Sequence, residues 1–294
     1  LLRTNADIYY TRDSLTAALL VLIRKGMKGK VFYEAHSFPG SRIGLALQRW
    51  LVPRLDALIV LTELLAQRYV DLEIPPRRVA VISDAVDIDV FGRCSKAEAR
   101  KELGVEKNDF LVMYVGQMYK WKGVETLVAA AAFLSDDTHV WLVGGTPEEL
   151  PRIEKLLSAP GADLVKLVGY VAPTQIPTCL AAADVLALPN SGQTAVSRYY
   201  TSPLKLFEYM ASGRPIIASD LPSLREIITH EETALLVQPD DALAFAAAVE
   251  RLRHDADLAR RLAANSLQMV ADYTWDHRAA QIIELIQHDD LSNT

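Results

Sequence analysis

The stretch Pro203-Leu204-Lys205-Leu206-Phe207-Glu208 continues as Tyr209-Met210-Ala211-Ser212-Gly213-Arg214-Pro215 and then Ile216-Ile217-Ala218-Ser219. The pattern predicts a helix that opens after a polar loop, stops at Gly213 and feeds a buried strand. Backbone N–H groups at such a helix start attract anions. Lys205 would add a positive charge in the first turn. Glu208 falls about one turn further in, where a carboxylate can receive two neighbouring hydroxyls. Phosphates at a helix mouth with a diol beneath them describe the chemistry of a nucleotide-sugar. The plain alternative is a surface carboxylate on an otherwise apolar helix.

A second candidate is Gly116-Gln117-Met118-Tyr119-Lys120-Trp121-Lys122-Gly123, between a strand and a helix. Gly116 lets backbone approach a ligand, and Lys122 sets a cation at the helix mouth, an arrangement that suits a diphosphate. The spacing matches neither the P-loop nor the dinucleotide glycine fingerprint. Val143-Gly144-Gly145-Thr146-Pro147-Glu148 is another strand–turn–helix, with Thr146 as a candidate N-cap and Pro147 suited to a first turn. Its glycines either make the turn or also admit a ligand. The long loop 189–203 is rich in Pro, Ser, Gly, Thr and Tyr, and offers Arg198, Tyr199, Tyr200 and Ser202 as polar candidates.

Nearer the start, Val31-Phe32-Tyr33-Glu34-Ala35 runs into His36-Ser37-Phe38-Pro39-Gly40-Ser41, so His36 falls near a strand's carboxyl end. A histidine there can bond a sugar hydroxyl, act on a proton, or serve the structure alone. The helix that follows carries Arg42 and Arg49 on one side and Ile43, Leu47, Trp50 and Leu51 on another. That face suits either the core or a lipid surface.

The elements that must position these residues alternate along the chain. A strand is expected at 7–10, and short continuous apolar runs at 57–61, 79–82, 110–115, 140–143, 164–168, 185–188 and 215–218 suit strands buried on both faces of parallel sheets. Amphipathic windows at 14–25, 42–52, 63–72, 123–134, 147–158, 174–182, 204–212 and 222–229 read as helices. Such alternation predicts an α/β protein with doubly wound sheets. The turn-rich Asp84–Gly92 and the charged Lys96–Lys107 mark a boundary. The expected division is therefore 1–92, 93–273 and a terminal segment 274–294 whose helix, at about 276–288, would pack back on the first domain. Beyond residue 240 only helices are expected.

Half of the 294 residues are hydrophobic, enough for one or two domains with ample core. No run is long enough to span a membrane. Cys94 and Cys179 stand far apart, as idle thiols in a reducing compartment would. The net charge of −6 is uneven: residues 1–54 carry nine Lys/Arg against three Asp/Glu, and the remainder carries 22 against 34. A basic leading segment on an acidic body hints at an anionic surface or acceptor. No carboxylate cluster suggests a metal site.

Taken in order, these stretches resemble the retaining glycosyltransferases of family 4, of GT-B architecture with two facing Rossmann-like domains built on parallel sheets. The resemblance covers nearly the whole chain and includes Asp84-Ala85-Val86-Asp87 with Phe91, Gly116 with Lys122-Gly123, Val143-Gly144-Gly145 and Val168-Gly169-Tyr170-Val171. It extends through Ala183-Asp184-Val185 to Pro189 and from Lys205 to Pro215. The resemblance implies transfer of a sugar from a UDP- or GDP-sugar to a hydroxyl of a glycan or lipid-linked acceptor, with retention of configuration and without a metal or other cofactor. By it, Lys122 pairs with the diphosphate, and the helix start at Leu204–Lys205 faces the phosphates. Glu208 holds the ribose, Gly144 and Gly145 border the nucleotide, Tyr170 and Val171 flank its base, and His36 lies beside the transferred sugar. Lys122, Glu208 and His36 are the catalytic candidates.

Three departures stand out. Tyr200 occupies the place of the first Glu of the family's E-x7-E pattern, a residue that meets the donor sugar. Gln117 replaces a phosphate-binding Arg, whose charge Lys120 or Lys205 would supply. Relatives carry further strands before the position where this chain starts, so the first domain is expected to be incomplete. The expected setting is polysaccharide biosynthesis in the cytoplasm, with peripheral contact at the inner membrane face and no nucleic-acid partner. The alternatives are a nucleotide-sugar-binding domain without catalysis and an epimerase acting on the same donors, for which the loops hold too few carboxylates.

Overall fold

A computed structural model of the chain describes residues 6–26, 28–73, 78–158, 161–200 and 204–291. Two compact units emerge. Unit 1 comprises Leu1–Asp84, Tyr199–Ser202 and Asp276–Thr294; unit 2 comprises Ala85–Arg198 and Pro203–Trp275. The division falls after Asp84, earlier than residue 92, because the turn that follows packs into unit 2. Ala85, Val86 and Phe91 are buried, the Val86 N–H donates to the Tyr273 carbonyl at 2.9 Å, and Val86 and Phe91 join unit 2's core. The last helix, Trp275–Leu291, runs almost wholly within unit 1.

Unit 1 is built on four parallel strands in simple order: β1 (Ile8–Thr11), β2 (Lys30–Ala35), β3 (Ala57–Val60) and β4 (Val79–Val81). Register follows from apolar runs laid side by side, with Phe32 opposite Ala57 and Leu58 opposite Val79. Polar residues stop and start the helices. Ser41 caps Arg42–Leu51 by accepting from the Gly44 N–H at 3.0 Å, and Thr62 caps Glu63–Val70 through Leu65 at 3.1 Å.

Unit 2 is a six-stranded parallel sheet of β5 (Phe110–Val115), β6 (Thr138–Val143), β7 (Val165–Gly169), β8 (Val185–Leu188), β9 (Ile216–Ser219) and β10 (Leu235–Val237). The spatial order is β10-β9-β8-β5-β6-β7. Along β5, Leu111, Met113 and Val115 enter one core layer while Val112 and Tyr114 enter the opposite one. Both faces are thus buried, which is why the strand reads as an unbroken apolar run. Each such side chain contributes about 1.5–3 kcal/mol on burial. The order reverses between β5 and β8, and a ligand in an open α/β sheet lies at such a switch point, beyond the strands' carboxyl ends.

Three elements differ from expectation. The charged segment after residue 95 is a helix, Lys96–Leu103, held by a reciprocal capping box between Ser95 and Glu98 and closed by Gly104 at φ +68°. The window 147–158 is helical only from Leu150, because the Glu149 carboxylate folds back onto backbone N–H groups instead of pointing outward. Strand β10, just three residues long, lies where no strand was expected.

Candidate functional site

In unit 2 the loops leaving β5, β6 and β7 are sewn together by backbone hydrogen bonds. The Gly116 N–H donates to Val143 O at 2.8 Å, Gly144 to Gly169 O at 2.6 Å, and Gly145 to Gly116 O at 3.1 Å. Only glycine fits here: Gly116 and Gly144 take φ of +138° and +105°, and a side chain on Gly144 would run into the Gly116 carbonyl. Glu149 adds a staple, its Oε2 accepting from Met118 N at 3.1 Å and Thr146 N at 2.9 Å. Thr146-Pro147-Glu148-Glu149 is an S/T-x-x-E pattern, the one sequence signal that points to Glu149.

Beside this platform stand two lysines. Lys122 closes a tight turn, Lys120–Lys122, and is 8% exposed, with Nζ 3.8 Å from the centre of the Trp121 ring. Among the described residues no carboxylate lies within ion-pair range of it. Burial without a counter-charge pulls its pKa down to about 8. Lys205, in the first turn of helix Leu204–Ala211, donates to the Tyr114 hydroxyl at 2.6 Å, and the Tyr114 hydroxyl donates to Gln117 O. Burial, then repulsion from Lys122, holds Lys205 well below the usual lysine range, against the pull of Glu208 and Glu149. Glu208 lies one turn along, and burial raises its carboxyl while Lys205 draws it down. Tyr209 locks this helix to the end of β5, its hydroxyl accepting from Val115 N at 2.8 Å.

The loop after β8 closes against the same turn, with Ser191 N donating to Trp121 O at 3.0 Å. Asn190 within it is 1% exposed, and both ends of its carboxamide lack a partner among the described residues. Nothing in the sequence singled out Asn190 or Tyr114, which read as loop and core. Leu204 and Tyr170 are 46% and 76% exposed, and Val171 packs against the core. Gln117 and Lys120 are exposed. The structure therefore brings Gly116, Lys122, Gly144, Gly145, Lys205 and Glu208 to one edge of the sheet of unit 2. A buried and a half-buried lysine beside backbone turns, with no carboxylate in ion-pair range among the described residues, can receive a diphosphate, and no group of three or more His, Cys, Asp or Glu among the described residues is arranged to hold a metal.

Unit 1 holds the other candidates. Tyr200 is 9% exposed, in the core of that unit, with its ring 6.4 Å from Phe38 and 6.2 Å from Tyr199. It closes a single π-type turn, Val196–Tyr200, that the loop's composition concealed. Ser202 lies outside the described residues, and Arg198 is exposed. His36 follows β2, its Nε2 2.6 Å from Glu34 Oε1. Around Glu34 gather Tyr10, Arg12 and Arg278. Helix Arg42–Leu51 buries Gln48 and Leu51 but leaves Ile43 85% exposed, with Arg42 and Arg49 outward.

The family described as "Glycosyl transferases group 1" matches residues 109–255, and "Glycosyltransferase Family 4" matches residues 1–90. A D-inositol 3-phosphate glycosyltransferase of Nocardioides sp. is 26% identical over 80% of this chain and 54% of its own length. An alpha-D-kanosaminyltransferase of Streptomyces kanamyceticus is 30% identical over 66% of this chain and 49% of its own. The chain thus spans about half the length of the curated relatives it matches. Among solved structures, Anabaena HepE superposes with a TM-score of 0.86 at 19% identity, covering 96% of this chain and 79% of that one. Sucrose-phosphate synthase from Thermosynechococcus elongatus gives 0.82 at 26%, covering 99% and 75%. With a GT-B fold and matches along both units, the chain belongs to the group 1, family 4 glycosyl transferases.

Proposed function

We propose that the protein transfers a sugar from a nucleoside-diphosphate sugar to an acceptor hydroxyl, with retention of configuration. The observation that carries this reading is the pair of lysines, buried Lys122 and half-buried Lys205, set beside the joined glycine turns with no carboxylate in ion-pair range of Lys122 among the described residues. The bond between the anomeric carbon and the diphosphate breaks and negative charge builds on the leaving oxygen, where fixed cations stabilise it without reorganising. The acceptor oxygen takes the vacated bond on the same face of the sugar, and its proton leaves with the diphosphate. Glu208 receives the ribose hydroxyls, Tyr170 and Val171 flank the base, and His36 bonds a hydroxyl of the transferred sugar. Charge stabilisation comes from side chains rather than a metal.

UDP is the favoured carrier, since HepE, of like fold, has been crystallised with UDP and with UDP-glucose. Calorimetric titration with UDP and GDP, followed by assays of donor hydrolysis and transfer, tests the reading. Binding of neither nucleotide overturns it. Binding without hydrolysis or transfer favours a non-catalytic binding domain, the reading that Tyr200 supports by occupying the place of an expected donor-sugar ligand.

The acceptor side suits an anionic surface at the inner membrane face. On helix Ser14–Ile23, Leu15, Leu19 and Leu22 are 68%, 48% and 66% exposed at helical spacing, and the neighbouring helix adds Ile43, Arg42 and Arg49. Among the described residues no helix is long and apolar enough to cross a membrane. Co-sedimentation with anionic but not with neutral vesicles is expected, and equal recovery with both argues against this placement.

A further inference from the structure

Glu34 is the most enclosed carboxylate of unit 1, with no exposed surface, one residue before the end of β2. Both of its oxygens are engaged. Oε1 lies 2.6 Å from His36 Nε2 and 3.2 Å from Arg12 Nε. Oε2 accepts from the Tyr10 hydroxyl and lies 2.7 Å from an Arg278 guanidinium nitrogen. Arg278 is itself 5% exposed, and its other terminal nitrogen donates to the carbonyls of Ile82 and Ser83, at 3.0 Å each, just beyond β4. A single carboxylate therefore joins the carboxyl end of β2 to a residue of the last helix, and that residue grips the chain leaving β4.

Two guanidinium groups stand in ion-pair range of this carboxylate and a phenol donates to it, a set that suits only the ionised form. Burial by itself would push its pKa up; the bonds from His36 and Tyr10 and the charges of Arg278 and Arg12 overturn that and bring it down to about 2. An ionised carboxylate has no proton to give. The hydrogen in the 2.6 Å contact with His36 must then sit on Nε2. The ring is 39% exposed, and its second nitrogen carries no bond to Glu34.

We infer that Glu34 is a positioning residue that fixes His36 as the Nε2–H tautomer, so that Nδ1 is the ring atom offered to a substrate hydroxyl as acceptor. Arg278 and Arg12 keep the carboxylate charged and in place, and so act on His36 through Glu34. This rests on the reading of His36 as a contact of the transferred sugar. It adds which nitrogen faces the sugar and makes a residue of the last helix part of the arrangement.

The test is long-range proton–nitrogen correlation of the His36 side chain in the 15N-labelled 294-residue chain, with and without Glu34→Gln. The wild-type ring is expected to carry its proton on Nε2, as a downfield resonance slow to exchange with water. In Glu34→Gln that resonance moves upfield and exchanges faster. Kinetically, Glu34→Gln should lower turnover on the order of 10²-fold, the scale of an ångström-level misplacement. UDP affinity, set by residues of the other unit, should stay within about twofold of wild type, and Glu34→Asp should recover part of the rate. A wild-type proton on Nδ1 overturns the inference even if the variant fails to fold, as does a Gln variant with an unmoved His36 resonance. His36→Ala with undiminished transfer would instead refute the role of His36 while leaving the location of the proton standing.

Discussion

Replacing Lys122 with Met should make the protein more stable and a poorer ligand for UDP. The side chain is 8% exposed and burial draws its pKa from 10.5 to about 8. At about 1.4 kcal/mol per pKa unit, that depression corresponds to a penalty of up to about 3 kcal/mol for holding the charged form in the folded chain at neutral pH. Loss of the contact with Trp121 returns about 0.5–2 kcal/mol of this. The Lys122→Met variant should therefore gain roughly 1–2 kcal/mol at pH 7. The pH dependence has a defined sign. The folded value lies below the unfolded one, so between about 8 and 10.5 the unfolded chain holds more protons, and stability rises with pH through that window. The gain from Lys122→Met is thus largest below pH 8 and fades toward pH 10.5. Losing one charge-assisted contact to diphosphate should weaken UDP binding by about 1.5–3 kcal/mol, or about 10- to 150-fold. Turnover should fall by about 10²–10³. Near pH 8, UDP binding to wild type should take up roughly half a proton, seen as a buffer-dependent enthalpy that the variant lacks. Urea unfolding across pH and calorimetry in two buffers measure all of this. A variant that is less stable at pH 7 and binds UDP undiminished refutes the reasoning.

The remaining predictions concern the same edge of unit 2. Glu208→Ala should weaken UDP about tenfold or more and abolish discrimination against 2′,3′-dideoxy-UDP by calorimetry; retained discrimination removes Glu208 from the ribose. Glu149→Ala strips the acceptor from Met118 N and Thr146 N and should lose about 2–4 kcal/mol in urea unfolding, with Glu149→Gln losing less because it keeps an acceptor. Equal losses in the two variants would mean the staple carries little. Gly144→Ala forces a side chain toward the Gly116 carbonyl at φ +105° and should destabilise by more than about 1–3 kcal/mol, the scale of backbone strain alone. It should also reduce UDP affinity, and a variant with wild-type stability and affinity would refute the close approach.

The strands β5 and β8 were legible to the residue because both their faces are buried, so every position is apolar. Strand β10 was not, since three residues between a turn and a helix give periodicity too little length, and only the neighbouring Ile217–Ser219 selects the extended form. Lys122 and Glu208 were readable as candidates because type and spacing betray a charge at a strand–helix junction. What made Lys122 informative, a burial with no counter-ion among the described residues, depends on chain far away in sequence. The same holds for Tyr200, whose burial against Phe38 no local pattern announces. Glu34 was passed over because its partners, Tyr10, Arg12, His36 and Arg278, come from both ends of the chain.

Arg278 imposes an order on biosynthesis. Every strand of the first sheet leaves the ribosome long before the guanidinium that neutralises Glu34 does, while the second unit is all but translated by then. The nascent first sheet must wait with an enclosed anion short of one cation, or with its β2 end open to water. Maturation of the first unit is therefore completed by helix Trp275–Leu291, and a chain arrested before Arg278 would hold a second unit that is sound and a first unit that is not.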